Sequence, residues 1–277
     1  MQEMMETMAQ IVEQDTAPDP EGGLGGRRIK QPVAHDRRLA IEHQDMRHGR
    51  KSSAKTFHGF KEHFLLALDS KVTRDVVVCP AHEPEYKVVE LLAAELEKSP
   101  GWLQVDIDLG SMASPRMMQW AAQGVSIIAC PWPQGGPLFT KHDCTFAFAQ
   151  GQVTGPTGQT VPMVPDQDAQ LPARACDVCP VRAQCTPARL GHSRSLPLRA
   201  DEQFQAKLRA KLTTKRGRAA LRKRTAVEHA IAHQWAHQGR RARSKGLRNN
   251  QFDGRRHAAV SNRQVAAHYE EERQLAS

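Results

Sequence analysis

The sequence predicts an α/β fold with a mixed sheet, because a hairpin pattern is followed by alternating helical and strand patterns. The hairpin pattern comprises residues 57–69, FHGFKEHFLLALD, and residues 72–80, VTRDVVVCP, which are rich in β-branched and aromatic residues. Ser70 and Lys71 separate the two stretches as a tight turn. The predicted sheet therefore begins with two strands that pair locally.

Helical and strand patterns alternate after the hairpin. Residues 83–99 carry apolar side chains at helical spacing, with Pro84 at the first turn, where its missing N–H costs nothing. Residues 103–107 and 125–129 are short apolar strands, and residues 115–123 form a helix between them. This alternation completes the pattern of an α/β domain with a mixed sheet.

Composition divides the chain into five segments. Residues 1–14 predict an amphipathic helix, and a linker rich in Gly, Pro and charge follows. Helical spacing returns at 201–238, interrupted at Gly217. The predicted organisation is an N-terminal helix and linker over 1–44, the first part of the core over 45–130, a cysteine-containing insertion over 131–200, a C-terminal helical part with a basic surface over 201–260, and a tail over 261–277.

The positive charge is concentrated in the last third of the chain. The net charge is +9, and residues 207–256 contain sixteen Lys or Arg but only two acids, Glu228 and Asp253. A basic surface binds polyanions because neutralised phosphates release condensed counterions. A solvated face or disordered tail is the alternative, but apolar residues at helical spacing disfavour disorder. We therefore expect a nucleic acid as the partner.

Other global features place the chain in the cytoplasm. No apolar run approaches the roughly 20 residues of a membrane span, and the N-terminus carries acids where a signal peptide would be basic. Six cysteines without a secretion signal indicate reduced thiols, for which metal binding is favoured over disulfides. We expect no membrane partner and a cytoplasmic protein.

Carboxylates in this basic context predict a metal site. Arg224 and Glu228 lie four residues apart, on one face of a predicted long basic helix. Asp106 and Asp108 lie at the end of the strand LQVDID, where ligands bind in open α/β sheets. A helix N-cap or a solvated loop acid is the alternative interpretation of either Asp. Carboxylates from a helix and a strand end together suit Mg²⁺, which prefers oxygen ligands.

The sequence resembles the C-terminal part of DDE-type insertion-sequence transposases over roughly residues 45 to 260. Four motifs carry the resemblance: HGRKSSAKTFHGFKEHF, DLGSMASP from Asp108, CDVCPVRAQCTPAR from Cys176, and LRKRTAVEHAIAHQWAHQGRRARSKGLRNNQFD around Glu228. The resemblance implies a ribonuclease-H-like core, Asp108 and Glu228 as the second and third acids that hold Mg²⁺ or Mn²⁺, and Arg224 as a contact to the DNA backbone.

Two departures from the family pattern concern the acids. Ser111 replaces an aromatic residue, which we expect to loosen the turn that supports Asp108. The family's first acid lies on a strand upstream of the Gly-Arg-Lys-Ser segment, where this chain has only Asp15, Asp19, Asp36 and Asp45, none of them in an apolar strand. The expectation is an N-terminally truncated transposase that lacks its first catalytic Asp.

The cysteine motif predicts a structural zinc site. Its three thiols have the spacing Cys176-x2-Cys179-x5-Cys185, and a structural zinc site normally takes four ligands. Related transposases often have a cysteine where this chain has Gly155. His142, Cys144 or His192 could supply a fourth ligand, and the spacing does not choose among them. Cys79 and Cys130 lie in strand-like segments and are expected to be small buried hydrophobes.

Two further sets of residues bear on DNA binding. His229, His233 and His237 repeat along one helical face, and a DNA-facing surface is favoured over a metal stripe. The basic cluster after Gly239 is expected to contact phosphates, as are the basic residues before the hairpin. The predicted DNA-binding residues are Arg224, Arg240, Arg241, Arg243, Lys245, Arg248, Arg50 and Lys51.

The leading functional hypothesis is metal-dependent phosphodiester cleavage and strand transfer at the ends of a DNA insertion element. Its partners would be transposon-end and target DNA and a second copy of the chain, because strand transfer usually pairs active sites. The first alternative is a catalytically dead remnant that only binds DNA. The second is a zinc-ribbon-type binding module centred on the cysteine motif.

Overall fold

The computed structural model describes residues 2–31, 36–52, 54–98, 101–133, 135–239 and 241–275. The chain divides into two compact units. Unit 1 comprises residues 1–102 and 223–277, and unit 2 comprises residues 103–222. The first unit is therefore built from both ends of the chain, and the second from its middle.

The elements are as follows, in chain order. The first 102 residues contain α1 (Gln2–Asp15), β1 (Thr16–Pro18), β2 (Arg27–Ile29), β3 (Arg47–Arg50), β4 (Thr56–Ala67), β5 (Val72–Pro80) and α2 (Glu85–Leu96). The middle contains β6 (Gln104–Asp106), α3 (Arg116–Ala122), β7 (Ser126–Ile128), β8 (Thr145–Ala147), β9 (Gln152–Thr154), β10 (Thr160–Pro162), β11 (Asp168–Gln170), α4 (Ala173–Asp177), α5 (Arg182–Cys185) and β12 (Ser195–Pro197). Four helices follow: α6 (Glu202–Thr213), α7 (Lys215–Arg222), α8 (Thr225–Gln238) and α9 (Leu247–Leu275).

The predicted hairpin is confirmed and forms the sheet of unit 1. Strands β4 and β5 pair antiparallel from Phe60 opposite Pro80 to Ala67 opposite Val72. Lys71 has a φ of 57°, which lets the chain reverse between them. Strand β3 pairs with the beginning of β4, giving the order β3-β4-β5. The helix predicted next is also confirmed, as α2, whose Val88 packs with Val77 and Cys79 of β5.

Helix α9 covers β5 and satisfies part of its backbone with side-chain amides. Asn262 accepts a hydrogen bond from the Thr73 N–H and donates one to the Thr73 carbonyl, both at 2.8 Å. Gln251 accepts from the Val78 N–H at 2.8 Å and donates to the Val76 carbonyl at 2.5 Å. Residues 261–275, expected as a tail, continue this helix to Leu275.

The N-terminal segment is more regular than the predicted linker. The amphipathic helix is confirmed as α1, but β1 and β2 then pair as a hairpin within the expected linker. Arg38 anchors the segment, because its guanidinium is buried and donates to Thr7, Gln10 and the carbonyls of Ala40 and Ile41. Short strands of three residues with a Gly-rich turn carry too little apolar patterning to be predicted from sequence.

Unit 2 contains the second predicted strand pair and the insertion. Strands β6 and β7 pair parallel, with Val105 opposite Ile127, and α3 packs against β7. The insertion forms a β10-β9-β8 sheet and a β11-β12 pair around one apolar cluster. That cluster comprises Val153, Val161, Ala169, Leu171, Cys176, Leu196 and Leu198.

The α/β class is confirmed, but the prediction of one mixed sheet is not. Among the described residues, β3-β4-β5 and β6-β7 are separate sheets, and the remaining strands form three further small sheets. Local patterning identifies strands, whereas pairing between strands far apart in sequence leaves no local signal.

The C-terminal helical pattern breaks at different residues from the one predicted. Helix α6 ends at Thr213 and α8 begins at Thr225, whereas Gly217 lies within α7. A Cβ on Gly217 would lie 1.9 Å from the Lys211 carbonyl oxygen, so glycine is required by the close approach of α6 to α7. The Thr214 hydroxyl accepts from the Gly217 N–H at 2.9 Å and caps α7.

Candidate catalytic and nucleic-acid-binding site

Asp108 lies just after β6 and caps a short helical turn. Strand β6 ends at Asp106, and the exposed Asp108 carboxylate accepts a hydrogen bond from the Leu109 N–H at 2.8 Å. The turn expected to be loosened by Ser111 is closed, because the Ser111 N–H donates to the Asp108 carbonyl at 3.1 Å. Asp108 therefore caps the turn and also presents an exposed carboxylate at the end of a strand.

Lys211 of α6 is a neighbour of this strand end that sequence analysis missed. Its ammonium donates to the Ser126 hydroxyl at 3.1 Å and to the Ile127 carbonyl at 2.9 Å on β7. Burial lowers the pKa of Lys211, and the Asp106 carboxylate opposes that shift. Periodicity places Lys211 only on a basic helix, so no sequence signal connects it with β7.

Glu228 is exposed in the first turn of α8. Arg224 has helical backbone angles immediately before the helix, so the two residues lie one turn apart, as predicted from their spacing. The prediction that Glu228 lies inside a long basic helix is wrong, because α8 contains no Lys or Arg. The basic residues lie in α6, α7 and α9 and in the segments that flank α8, because α6 ends at Thr213 and α8 begins only at Thr225.

The two predicted catalytic acids belong to different units, Asp108 to unit 2 and Glu228 to unit 1. Within the described ranges, no three His, Cys, Asp or Glu side chains are grouped as ligands of a metal ion. Both residues are nevertheless exposed carboxylates, the donor type that a hard cation such as Mg²⁺ prefers.

The acids upstream of the hairpin have structural partners of their own. The Asp15 carboxylate lies 2.8 Å from the Arg37 guanidinium, and Asp36 lies 2.5 Å from Arg47. Asp45 accepts from the Leu247 N–H at 2.9 Å. These acids hold the N-terminal segment and cap α9.

The structure connects two of the predicted basic segments within unit 1. Arg50 and Lys51 are exposed at the end of β3 and in the turn that follows. Just before β3, the Glu42 carboxylate lies 2.6 Å from the Lys245 ammonium, which lowers the pKa of Glu42. Lys245 is therefore partly neutralised, whereas Arg241, Arg243 and Arg248 are exposed. The predicted DNA-binding residue Arg240 lies outside the described residues.

The histidine stripe on α8 is exposed at the three predicted positions. The His233 and His237 rings meet edge to face, with centroids 5.0 Å apart. Gln234 of the same helix is buried and donates to the Gly254 carbonyl at 3.4 Å. Helix α8 therefore packs through Gln234 and presents its histidines to solvent.

The three cysteines of the motif lie together around one small cavity. Cys176 is buried, and Cys179 and Cys185 are half-buried. All three line a cavity of about 20 Å³, together with Gly155 and Thr157 of the β9–β10 turn. Of the suggested fourth ligands, Cys144 is half-buried, and burial raises the pKa of its thiol. The expectation that Cys79 is buried is confirmed, whereas Cys130 is half-buried.

Comparison with known proteins gives a match to a family model. Residues 164–265 match the family described as a transposase DDE domain. The match includes Glu228, Arg224 and the three motif cysteines but not Asp108, and it confirms the resemblance that the motifs indicated. Neither a search of curated proteins nor a search of solved structures gives a match. None of the described helices combines the length and the apolar character needed to cross a bilayer.

Proposed function

We propose, from the DDE-type transposase domain that residues 164–265 match, that this protein cuts and joins DNA at the ends of an insertion element. The match carries the proposal, because it includes Glu228 in the motif that predicted a catalytic acid. The expected partners are double-stranded DNA, both element ends and target, and a second copy of the chain in the bacterial cytoplasm, in association with the nucleoid. The order of hairpin, helix, strand, helix and strand suits a ribonuclease-H-like core.

Asp108 and Glu228 are the proposed ligands of the divalent cation, Mg²⁺ or Mn²⁺. When bound, such cations stabilise the charge on the attacking and leaving oxygens of an in-line phosphoryl displacement. Both carboxylates are exposed and so accessible to a polyanionic substrate. The Asp108 side chain is oriented by the Leu109 N–H, and Glu228 lies in the first turn of α8. The Lys211 ammonium is expected to offset the negative charge of the nearby Asp106 carboxylate.

Arg224 and the basic segments are the proposed contacts to the DNA backbone. Arg224 lies one helical turn before Glu228, so its guanidinium can hold a phosphate beside that carboxylate. The exposed Arg50, Lys51, Arg241, Arg243 and Arg248, with Lys245, would position the duplex without reading its sequence. Arg240 extends the same basic run in sequence.

The test of the catalytic proposal is metal-dependent nicking of a supercoiled plasmid that carries the element's ends. We expect Mg²⁺ or Mn²⁺ to support nicking by the wild-type chain. Glu228→Ala and Asp108→Asn should each reduce nicking by at least about a hundredfold, because each removes a ligand of the cation. Glu271→Gln, which changes an exposed acid near the end of α9, serves as the matched control.

The alternative is a remnant that binds DNA without chemistry. The acids upstream of the hairpin favour this alternative, because none of them matches the family's first catalytic acid. Among the described residues upstream of the hairpin, no acid lies in an apolar strand, and Asp15, Asp36 and Asp45 are held in ion pairs or a helix cap. Salt-sensitive binding with no nicking above the Glu228→Ala background would select this alternative. Nicking by the Glu228→Ala variant at the wild-type rate would reject Glu228 as a catalytic residue.

A further inference from the structure

Helix α1 turns polar side chains toward the rest of unit 1 and apolar side chains toward solvent. Thr7 is buried, and the Arg38 guanidinium donates hydrogen bonds to Thr7 at 3.0 Å and to Gln10 at 3.3 Å. Gln14 accepts from the Arg38 N–H at 2.9 Å and donates to the Arg38 carbonyl at 2.7 Å. The helix is therefore attached to its own chain through polar side chains, which leaves its apolar side facing solvent.

The apolar side of α1 is one continuous stripe. Met4, Met8 and Val12 recur every four residues, with Met5 beside them, so the four side chains share one face of the helix. They are 53%, 53%, 47% and 65% exposed, respectively. Amphipathic helices usually bury such a stripe, and exposed apolar patches mark surfaces that bind other molecules. Because methionine side chains are flexible and adapt to a partner, the stripe has the character of an interaction surface.

Charge in the N-terminal segment is divided between α1 and β2. Helix α1 contains four acids and no Lys or Arg, and its Glu6 and Glu13 are exposed. Strand β2 carries the exposed Arg28, and Lys30 just after it donates to the Glu13 carbonyl at 2.5 Å. Positive charge therefore lies beside the C-terminal end of α1, whereas Glu6 gives the N-terminal half of the helix negative charge.

The stripe and the charges complement a second copy of the same segment. Met4 and Val12 lie four residues before and four residues after Met8, so the stripe is symmetric about Met8. A two-fold axis at Met8 pairs two copies of α1 antiparallel, with Met4 of each copy against Val12 of the other. The same arrangement brings Glu6 of each copy to the end of the other helix where Arg28 lies. The helix dipoles are then antiparallel, which also favours the pairing.

We propose that α1 binds a second copy of this chain through Met4, Met8 and Val12, as an antiparallel helix pair. The proposal rests on the proposed function for the expectation of a second copy, and it deepens that function by naming the surface that holds it. A helix of 14 residues is roughly 21 Å long, so the pair buries less than the roughly 800 Å² per partner of a standard interface. We therefore expect association without DNA, with a dissociation constant on the order of 10–100 µM.

The first measurement is sedimentation equilibrium of the full-length chain without DNA. The wild-type chain should convert from monomer to dimer as its concentration rises, and Met8→Glu should weaken the dimer by at least about tenfold, because it brings two like charges together at the two-fold axis. Leu91→Glu, the same kind of change at an exposed position of α2, is the matched control. Glu228→Ala should dimerise like the wild-type chain, so the catalytic proposal is tested separately. A wild-type monomer at about ten times the expected dissociation constant, or an unweakened Met8→Glu dimer, would overturn the proposal.

The second measurement tests the antiparallel arrangement by exchanging charges. Glu6→Lys and Arg28→Glu should each weaken the dimer by about threefold, because each places like charges opposite one another across the two copies. The double variant restores opposite charges, so its dissociation constant should return to the wild-type value. Glu271→Lys, at an exposed acid near the end of α9, is the control and should leave dimerisation unchanged. A double variant that dimerises no better than the single variants would overturn the antiparallel arrangement.

Discussion

At the scale of single residues, burial controls the protonation of the His63 and Cys79 pair on the β4–β5 hairpin. The Cys79 sulfur lies 3.4 Å from the His63 Nε2. Burial lowers the pKa of His63 to about 4 and raises the pKa of Cys79 to about 11. Both side chains are therefore neutral near pH 7, and the pair is not an activated thiolate nucleophile.

This pair makes stability depend on pH. The folded-state pKa of His63 is below its unfolded value of 6.5, so the unfolded chain binds more protons as the pH falls toward about 4. We expect the unfolding free energy to drop by about 2 kcal/mol between about pH 8 and about pH 5 through this residue. Urea unfolding at both pH values should show the drop in wild type and lose it in His63→Gln. The exposed His229→Gln should retain it, and an unchanged drop in His63→Gln would refute the assignment.

The candidate acids show how far residue-level prediction extends. Glu228 was singled out because it is one of two acids in a basic stretch, and it is exposed on a helix as expected. Asp108 was identified from its position after a strand, and its capping bond was one of the alternatives considered. Lys211 was missed because its contacts with Ser126 and Ile127 join residues more than eighty positions apart.

At the scale of elements, periodicity predicted the strands and helices whose apolar faces are regular. The hairpin and the helices α1 and α2 were predicted this way, as were the strands β6 and β7. The sequence predicts an interruption of the helical pattern at Gly217, whereas this glycine lies within α7 and permits a close carbonyl contact. The short β1 and β2 strands were missed because three residues carry no measurable alternation.

The contact of α9 with β5 depends on side-chain amides as well as apolar packing. Asn262→Ala would leave the Thr73 N–H and carbonyl without these bonds, so we expect a loss of about 1–3 kcal/mol in unfolding free energy. Chemical denaturation measures the loss. Gln264→Ala on the same helix, where the side chain is exposed, is the matched control. Equal stability of the two variants would mean that water replaces the amide at no cost.

At the scale of the whole molecule, the charge distribution is a better guide to function than the arrangement of strands. The net charge of +9 and the concentration of basic residues over 207–256 follow directly from the sequence. The division into two units and the separate sheets were not, because they depend on contacts between distant parts of the chain. The family match over 164–265 supports the functional inference.

The charge distribution predicts how the proposed DNA binding depends on salt. The logarithm of the association constant should fall linearly with the logarithm of salt concentration, with a slope of roughly −0.9 for each phosphate contact. Arg243→Ala should weaken binding to all duplexes and make the slope less negative by about one. Arg273→Ala, an exposed arginine in the last turn of α9, is the control. Identical slopes for both variants would exclude Arg243 from the interface.

The cover that α9 provides for β5 has a consequence for synthesis of the chain. Gln251 lies 175 residues after Val76, whose carbonyl it satisfies. At a translation rate of roughly 5–20 residues per second, β5 is synthesised about 10–35 s before the part of α9 that covers it. During that interval the nascent hairpin exposes the unpaired backbone N–H and C=O groups of β5, with which strands of other chains can pair. We expect slower translation or loss of the C-terminal helix to increase the need for chaperones.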